Sequence, residues 1–345
     1  MAATSSADPG KRGLTRRTAL LAGTSAAASI CAPRISRAAL TEVPFAEAAH
    51  YLGYIGLYVG IAAGYFEQQG IHLNVAAAGG DTQAFAAVLG HSALFGIGDP
   101  SMTQMSVEQG GPGKVVGTVI QRASYYIVSV KHGLIKNPQE FKGTTIATLP
   151  EPMTTFSIMK RMLQENNLVI GKDVKVIQVA PGAELGPLFA GQADFSVTSP
   201  PNVAAAQEHG AHIVYDLGKH LGPFCNTGIE VLNQTVQEKP QVVQALCNGF
   251  ELAFRRTYAD PTYAKQVGYK QFPDLDKYVI DTSIDQLLND RIVAQHVYVE
   301  RAQWENLIKM QIYLKNVRGT VTFEQMVDNT FAEKAMKFAD HVKIL

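Results

Sequence analysis

The sequence predicts an α/β protein of two lobes joined by two crossing strands, followed by a helical C-terminal tail. Three observations carry this. Residues 71–101 and 174–202 read as the same unit twice: an apolar alternating strand, a turn of small residues, a short helix ending at Gly90 or Gly191, and a second strand. A further helix, started by proline, follows each copy. Beyond Pro240 the pattern is almost wholly helical. At 345 residues the chain is long enough for two cores.

The elements follow in order. Residues 40–46 alternate as a strand, and residues 50–54 turn. A helix is predicted over residues 55–69, capped by Gly70. After the first repeat, residues 114–119 and 125–130 are β-branched-rich strands split by Gln121-Arg122-Ala123. Residues 144–149 form a strand, and residues 150–155 lead into a helix that runs to about 166. The second repeat, a helix over 201–209 and a strand over 213–215 complete the middle section. Residues 224–232 return as a strand, and helices are predicted over 242–258, 284–299, 301–317 and 331–342. The expected division is residues 1–39 as an export signal, 40–125 with 225–345 as the first lobe, and 126–224 as the second. Two crossings, near residues 121–131 and 224–231, make a hinge suited to closure.

Bulk composition narrows function. Lys plus Arg equals Asp plus Glu at 30 each, without a basic run, which argues against nucleic acid. After the first 40 residues no apolar stretch reaches ~18 residues, so nothing reads as membrane-spanning. Thr15-Arg16-Arg17-Thr18-Ala19-Leu20-Leu21, a mild apolar run to Ile30 and the exit Ser36-Arg37-Ala38 read as a twin-arginine signal cleaved near Ala38. Such a signal sends an already folded protein through the twin-arginine machinery to the periplasm. Cys31 follows the bulky Ile30, which fits poorly with a lipid-attachment site. Cys225 and Cys247 could pair in an oxidising compartment, although Cys247 sits in an apolar helical pattern that suits a buried thiol.

Four loops at strand carboxyl ends should face a cleft, the edge at which open α/β sheets bind ligands. In the first lobe Asp81 and Asp99 either cap the helices they precede or meet a ligand, and Thr82 and Ser101 offer hydroxyls. In the second, Met153, Thr154 and Thr155 open one helix, and Ser199 and Asn202 open another. Tyr51 and Tyr54 occupy the first strand–helix loop. Arg122 is either a surface charge or a guanidinium aimed at an anion, and Asn226 stands on the return crossing. No nucleophile elbow, phosphate loop or His-Glu-x-x-His pair exists, and the nine histidines are scattered. No catalytic residue, metal or cofactor is expected.

Residues 57–71, LYVGIAAGYFEQQGI, resemble periplasmic solute-binding proteins of ABC importers, of the nitrate/sulfonate/taurine and thiamine-pyrimidine type. Residues 90–100, Val115-Val116-Gly117 with Gln121-Arg122, residues 141–155 and Gly191-Gln192-Ala193-Asp194 share the likeness. The resemblance covers residues 41–232 and departs at the loop of Tyr51 and Tyr54, which lacks the proline often found there. It implies a type II periplasmic-binding-protein fold, a monomer that closes on a small solute, and an ABC permease as partner. It also implies ligand contacts from Tyr51, Tyr54, Asp81, Thr82, Asp99, Ser101, Arg122, Thr154, Thr155 and Ser199. A sulfonate or taurine-like solute, or another small organic anion or zwitterion, is the leading expectation. Because Asp81, Asp99 and Glu151 are expected in the cleft, nitrate is less natural than an aminosulfonate or a pyrimidine. A sensory binding protein is an alternative. An enzyme like the thiamine-pyrimidine synthase is another, but that enzyme's cysteine-rich segment has no match in Cys225 and Cys247.

Overall fold

The computed structural model describes residues 40–344 apart from Pro152 and Pro181. The twin-arginine segment, its exit at Ala38 and Cys31 therefore lie outside the described residues. The chain first lays down β1 (Thr41–Glu47), α1 (Ile55–Ala62), α2 (Tyr65–Gln68), β2 (Ile71–Ala77), α3 (Asp81–Leu89), β3 (Phe95–Gly98), α4 (Ser101–Glu108) and β4 (Lys114–Arg122). It crosses to β5 (Tyr126–Ser129), β6 (Thr145–Thr148), α5 (Thr154–Glu165), β7 (Lys175–Gln178), α6 (Gly186–Phe189), β8 (Phe195–Thr198), α7 (Asn202–Glu208), β9 (His212–Asp216) and α8 (Leu217–Leu221). It then returns through β10 (Pro223–Val231).

The strands form two five-stranded sheets, ordered β2-β1-β3-β10-β4 and β7-β6-β8-β5-β9. In each sheet the first three strands are parallel and the fourth is antiparallel to both neighbours. That antiparallel strand, β10 or β5, is the one that has just arrived from the other sheet. A strand entering from the opposite lobe runs against strands that end at the shared edge, so the crossings dictate its direction. The repeats occupy corresponding places, β2-α3-β3-α4 and β7-α6-β8-α7. This is the two-lobed fold that the duplicated unit predicts.

The tail comprises α9 (Asn233–Glu238), α10 (Pro240–Ala259), α11 (Pro261–Gln271), α12 (Lys277–Asn289), α13 (Arg301–Tyr313), α14 (Phe323–Met326) and α15 (Thr330–Ala339). α10 packs on α1 and α15. The tail also touches the second sheet's helices. α12 packs on α7, and the Tyr313 hydroxyl donates to Gln164 on α5 beneath the Arg161 guanidinium, 5.8 Å from the Tyr313 ring.

Two sequence expectations are corrected. The helix over 55–69 is two helices, because Gly64 takes φ +70°, a left-handed conformation that interrupts the ladder. The helix over 284–299 is also displaced: α12 ends at Asn289, residues 290–291 turn, and residues 292–300 form an irregular strap with one bridge at Val293 and bends at 295–297. The apolar Ile292, Val293 and Val297 are buried there because this strap lies along β4, the sheet's last strand. Ala294 N–H donates to Val119 O (2.9 Å), Thr118 N–H to Val297 O (2.9 Å) and Gln121 N–H to Ile292 O (2.9 Å). Covering an edge satisfies backbone groups that would otherwise template another strand. Cys225 and Cys247 are both buried free thiols.

Candidate functional site

A cavity of about 810 Å³ lies where the strand carboxyl ends of the two sheets meet. Its first wall is built from the loops after β1, β2 and β3. The Gly79-Gly80 turn takes φ +90° and +156°, conformations open to glycine, and delivers Asp81 into the wall. A Cβ at Gly98 would come within 3.0 Å of Asp81 Oδ1, so that glycine gives the carboxylate its room. Asp81 Oδ1 accepts the Asp99 N–H (2.9 Å), and Asp99 Oδ1 accepts the Ser101 N–H (2.9 Å). Gln311 Nε2, from α13, donates to Asp99 Oδ2 (3.3 Å). The two acids therefore organise the loops and face the cavity: Asp81 is the first residue of α3 and holds the loop of Asp99, and Asp99 holds the start of α4.

Burial shapes their electrostatics. The Asp81 carboxyl is raised above its usual range by burial. Asp99 is pushed up to about 7, first by burial and then by the nearby Asp81 charge. Behind them, burial raises the Glu230 carboxyl well above the usual range, and Thr103 donates to it (2.5 Å).

Aromatic side chains close the first wall. Tyr51 and Tyr54 meet edge to face, with centroids 5.5 Å apart. The Tyr51 N–H donates to Tyr58 Oη (3.2 Å), and Tyr58 in turn donates to the buried Glu47 Oε2 (2.7 Å). His50, whose Nδ1 lies 3.1 Å from Glu47 Oε1, stacks on Phe272 with ring centroids 4.5 Å apart. That network fixes the loop carrying Tyr51. Burial raises the phenol pKa of Tyr51, Tyr54 and Tyr125, so each presents a protonated hydroxyl.

The second lobe contributes Leu149, Met153, Thr154, Thr155 and Ser199, and the crossings contribute Ser124, Tyr125, Asn226 and Thr227. Tyr51, Tyr54, Asp81, Thr82, Asp99, Met153, Thr154, Thr155, Ser199 and Asn226 thus share one cavity. Four residues expected at the cleft lie outside its wall. Ser101 is fully buried at the start of α4. Arg122 donates from Nη1 to Asp290 O (3.0 Å) and faces a different cavity. Asn202 Nδ2 donates to Glu184 Oε1 (3.2 Å), and Glu151 pairs with Lys160 (2.6 Å).

Sequence reasoning missed the tail's share: Met310, Gln311, Leu314 and Asn316 line the cavity. Helical periodicity marks that stretch as a packed helix and gives no sign of which turn meets the cleft. Met310 and Leu314, with Met102, Met105 and Met153, give the cavity an apolar, adaptable flank, and Gln311 and Asn316 add amides to it. Among the described residues, no Lys, Arg or His lines it.

Two α/β lobes around a cavity at their strand carboxyl ends define a two-lobed α/β class with its ligand edge in the cleft. The chain belongs to the NMT1/THI5-like family, whose model matches residues 52–264. A Bacillus subtilis protein named as a binding protein, YtlA, is 22% identical over 307 residues, covering 86% of this chain and 90% of its own. The aliphatic sulphonate binding protein SsuA of Escherichia coli superposes with a TM-score of 0.67 at 15% identity, over 80% of this chain and 92% of that one. The desulfurization enzyme DSZB shares the fold as well, with a TM-score of 0.64 at 12% identity, over 87% of this chain and 99% of that one. Among the described residues no helix is long and apolar enough to cross a membrane.

Proposed function

We propose that this protein is the substrate-binding component of an ABC importer. It is exported to the periplasm and captures one small organic solute between its lobes for delivery to a permease. The observation that carries this reading is the single cavity whose walls come from both repeats and both crossings. Closure over such a cavity converts contacts on each lobe into affinity, less the cost of the conformational change.

The wall chemistry favours a solute that donates hydrogen bonds or carries positive charge, such as a pyrimidine or an amino-bearing zwitterion. A simple sulfonate or nitrate would meet two carboxyl groups and no cation. Once ionised, a carboxylate ~4 Å from an anionic group repels it by about 4 kcal/mol at an effective dielectric of ~20, about a thousandfold in affinity.

The test is a thermal-unfolding screen of the protein lacking residues 1–38, with alkanesulfonates, aminosulfonates, pyrimidines and organic amines. A saturable upshift with a donor-bearing member, reduced in Asp81→Asn, is the expected result. Upshift only with alkanesulfonates would refute the charge argument, and no shift across the panel would count against capture of an organic solute.

A further inference from the structure

Arg122 belongs to a second cavity, of about 460 Å³, lined from three directions. Gln121 and Arg122 come from the end of β4, Gly222 and Pro223 from the start of β10, and Arg291 and His296 from the strap that follows α12. The frame is hydrogen-bonded: Gln121 Nε2 donates to Arg291 O (3.0 Å) and Arg122 Nη1 to Asp290 O (3.0 Å). Arg161, Arg255, Arg256 and Arg301 each pair with a carboxylate. Arg122, Arg291 and Arg318 do not, among the described residues, and the first two face this cavity. Arg122 commits one of its five N–H donors to a carbonyl, and the exposed Arg291 side chain makes no hydrogen bond with the described residues.

Glu300, the one carboxylate of the wall among the described residues, is exposed at the start of α13, where its N–H donates to Gln303 Oε1 (3.2 Å). Glu251, beneath His296, is fully buried and held by Arg255 (2.8 Å). Arg291 also takes φ +52° directly after α12, where glycine is the usual occupant. Two guanidiniums lacking carboxylate partners around one hollow suit the planar, multi-oxygen face of an oxyanion.

We propose that this cavity is a second binding site, separate from the interlobe cavity, that takes a small oxyanion through Arg122 and Arg291. Calorimetric titration with inorganic phosphate, at ionic strength held constant with chloride, tests it. One saturable site is expected, with affinity lowered about tenfold or more in Arg122→Gln and in Arg291→Gln, since each removes charge-assisted hydrogen bonds. Asp81→Asn, in the other cavity, should leave it intact. Arg291→Gln alters an exposed side chain, and its thermal unfolding in phosphate-free buffer should overlay the wild-type curve. Absence of saturable phosphate binding, or binding unchanged in both arginine variants, would overturn the proposal.

Discussion

Asp81 and Asp99 carry more of the proposed chemistry than any other pair, and their shared burial makes them sensitive to pH. Asp99 holds its proton up to about pH 7 in the folded chain, whereas an unfolded aspartate loses it near pH ~3.9. Between those values the folded state binds more protons. Stability from this group is therefore complete at low pH and lost as pH rises through the folded pKa. The expected outcome is that the ligand-free wild type loses thermal stability relative to Asp99→Asn between pH 5 and pH 8, measured on matched melts. Parallel melts would show that Asp99 is not held protonated. For a cationic solute the sign reverses: its affinity should rise over the same window, because the ionised pair attracts it.

At the scale of elements, packing of the tail on the first helices leaves no spare volume. A Cβ on Gly249 in α10 would stand 2.3 Å from Phe66 Cδ1, so the buried ring would have to move. Gly249→Ala should destabilise by about 1–3 kcal/mol, the usual range for overpacking, read from the urea midpoint. An unchanged midpoint would mean that Phe66 relocates without cost. The repeats were legible because alternation, a glycine turn and a proline-started helix recur in one order. Tyr51, Asp81, Thr154 and Ser199 could be placed at strand ends by the same logic. The strap at residues 290–300 was not legible, since its apolar residues look like the next turns of a helix until the open edge of β4 is known. Arg122 was ambiguous for a similar reason: its partner is a backbone carbonyl, which leaves no trace in composition.

For the whole molecule, the tail ties the two lobes together beyond their crossings. α12 rests on α7, and Tyr313 reaches α5, so the helices that follow the first sheet also hold the second. The proposed closure of the lobes would have to slide or carry these contacts along. Tyr313→Phe removes the bond to Gln164 while keeping the ring under Arg161, and its exposed position limits the stability cost to under about 1 kcal/mol. If that bond restrains lobe movement, the variant should bind the captured solute with an altered rate and an unchanged contact set, measurable by stopped-flow quenching of tyrosine fluorescence. Wild-type kinetics would assign the restraint to α12 and α7 instead.

The most direct test is a crystal structure of the protein with the solute that raises its melting temperature. The account predicts that solute between the two sheets, touching Tyr51 or Asp81 on one side and Thr154 or Ser199 on the other. A solute seated on one lobe alone, or outside this cavity altogether, would contradict it.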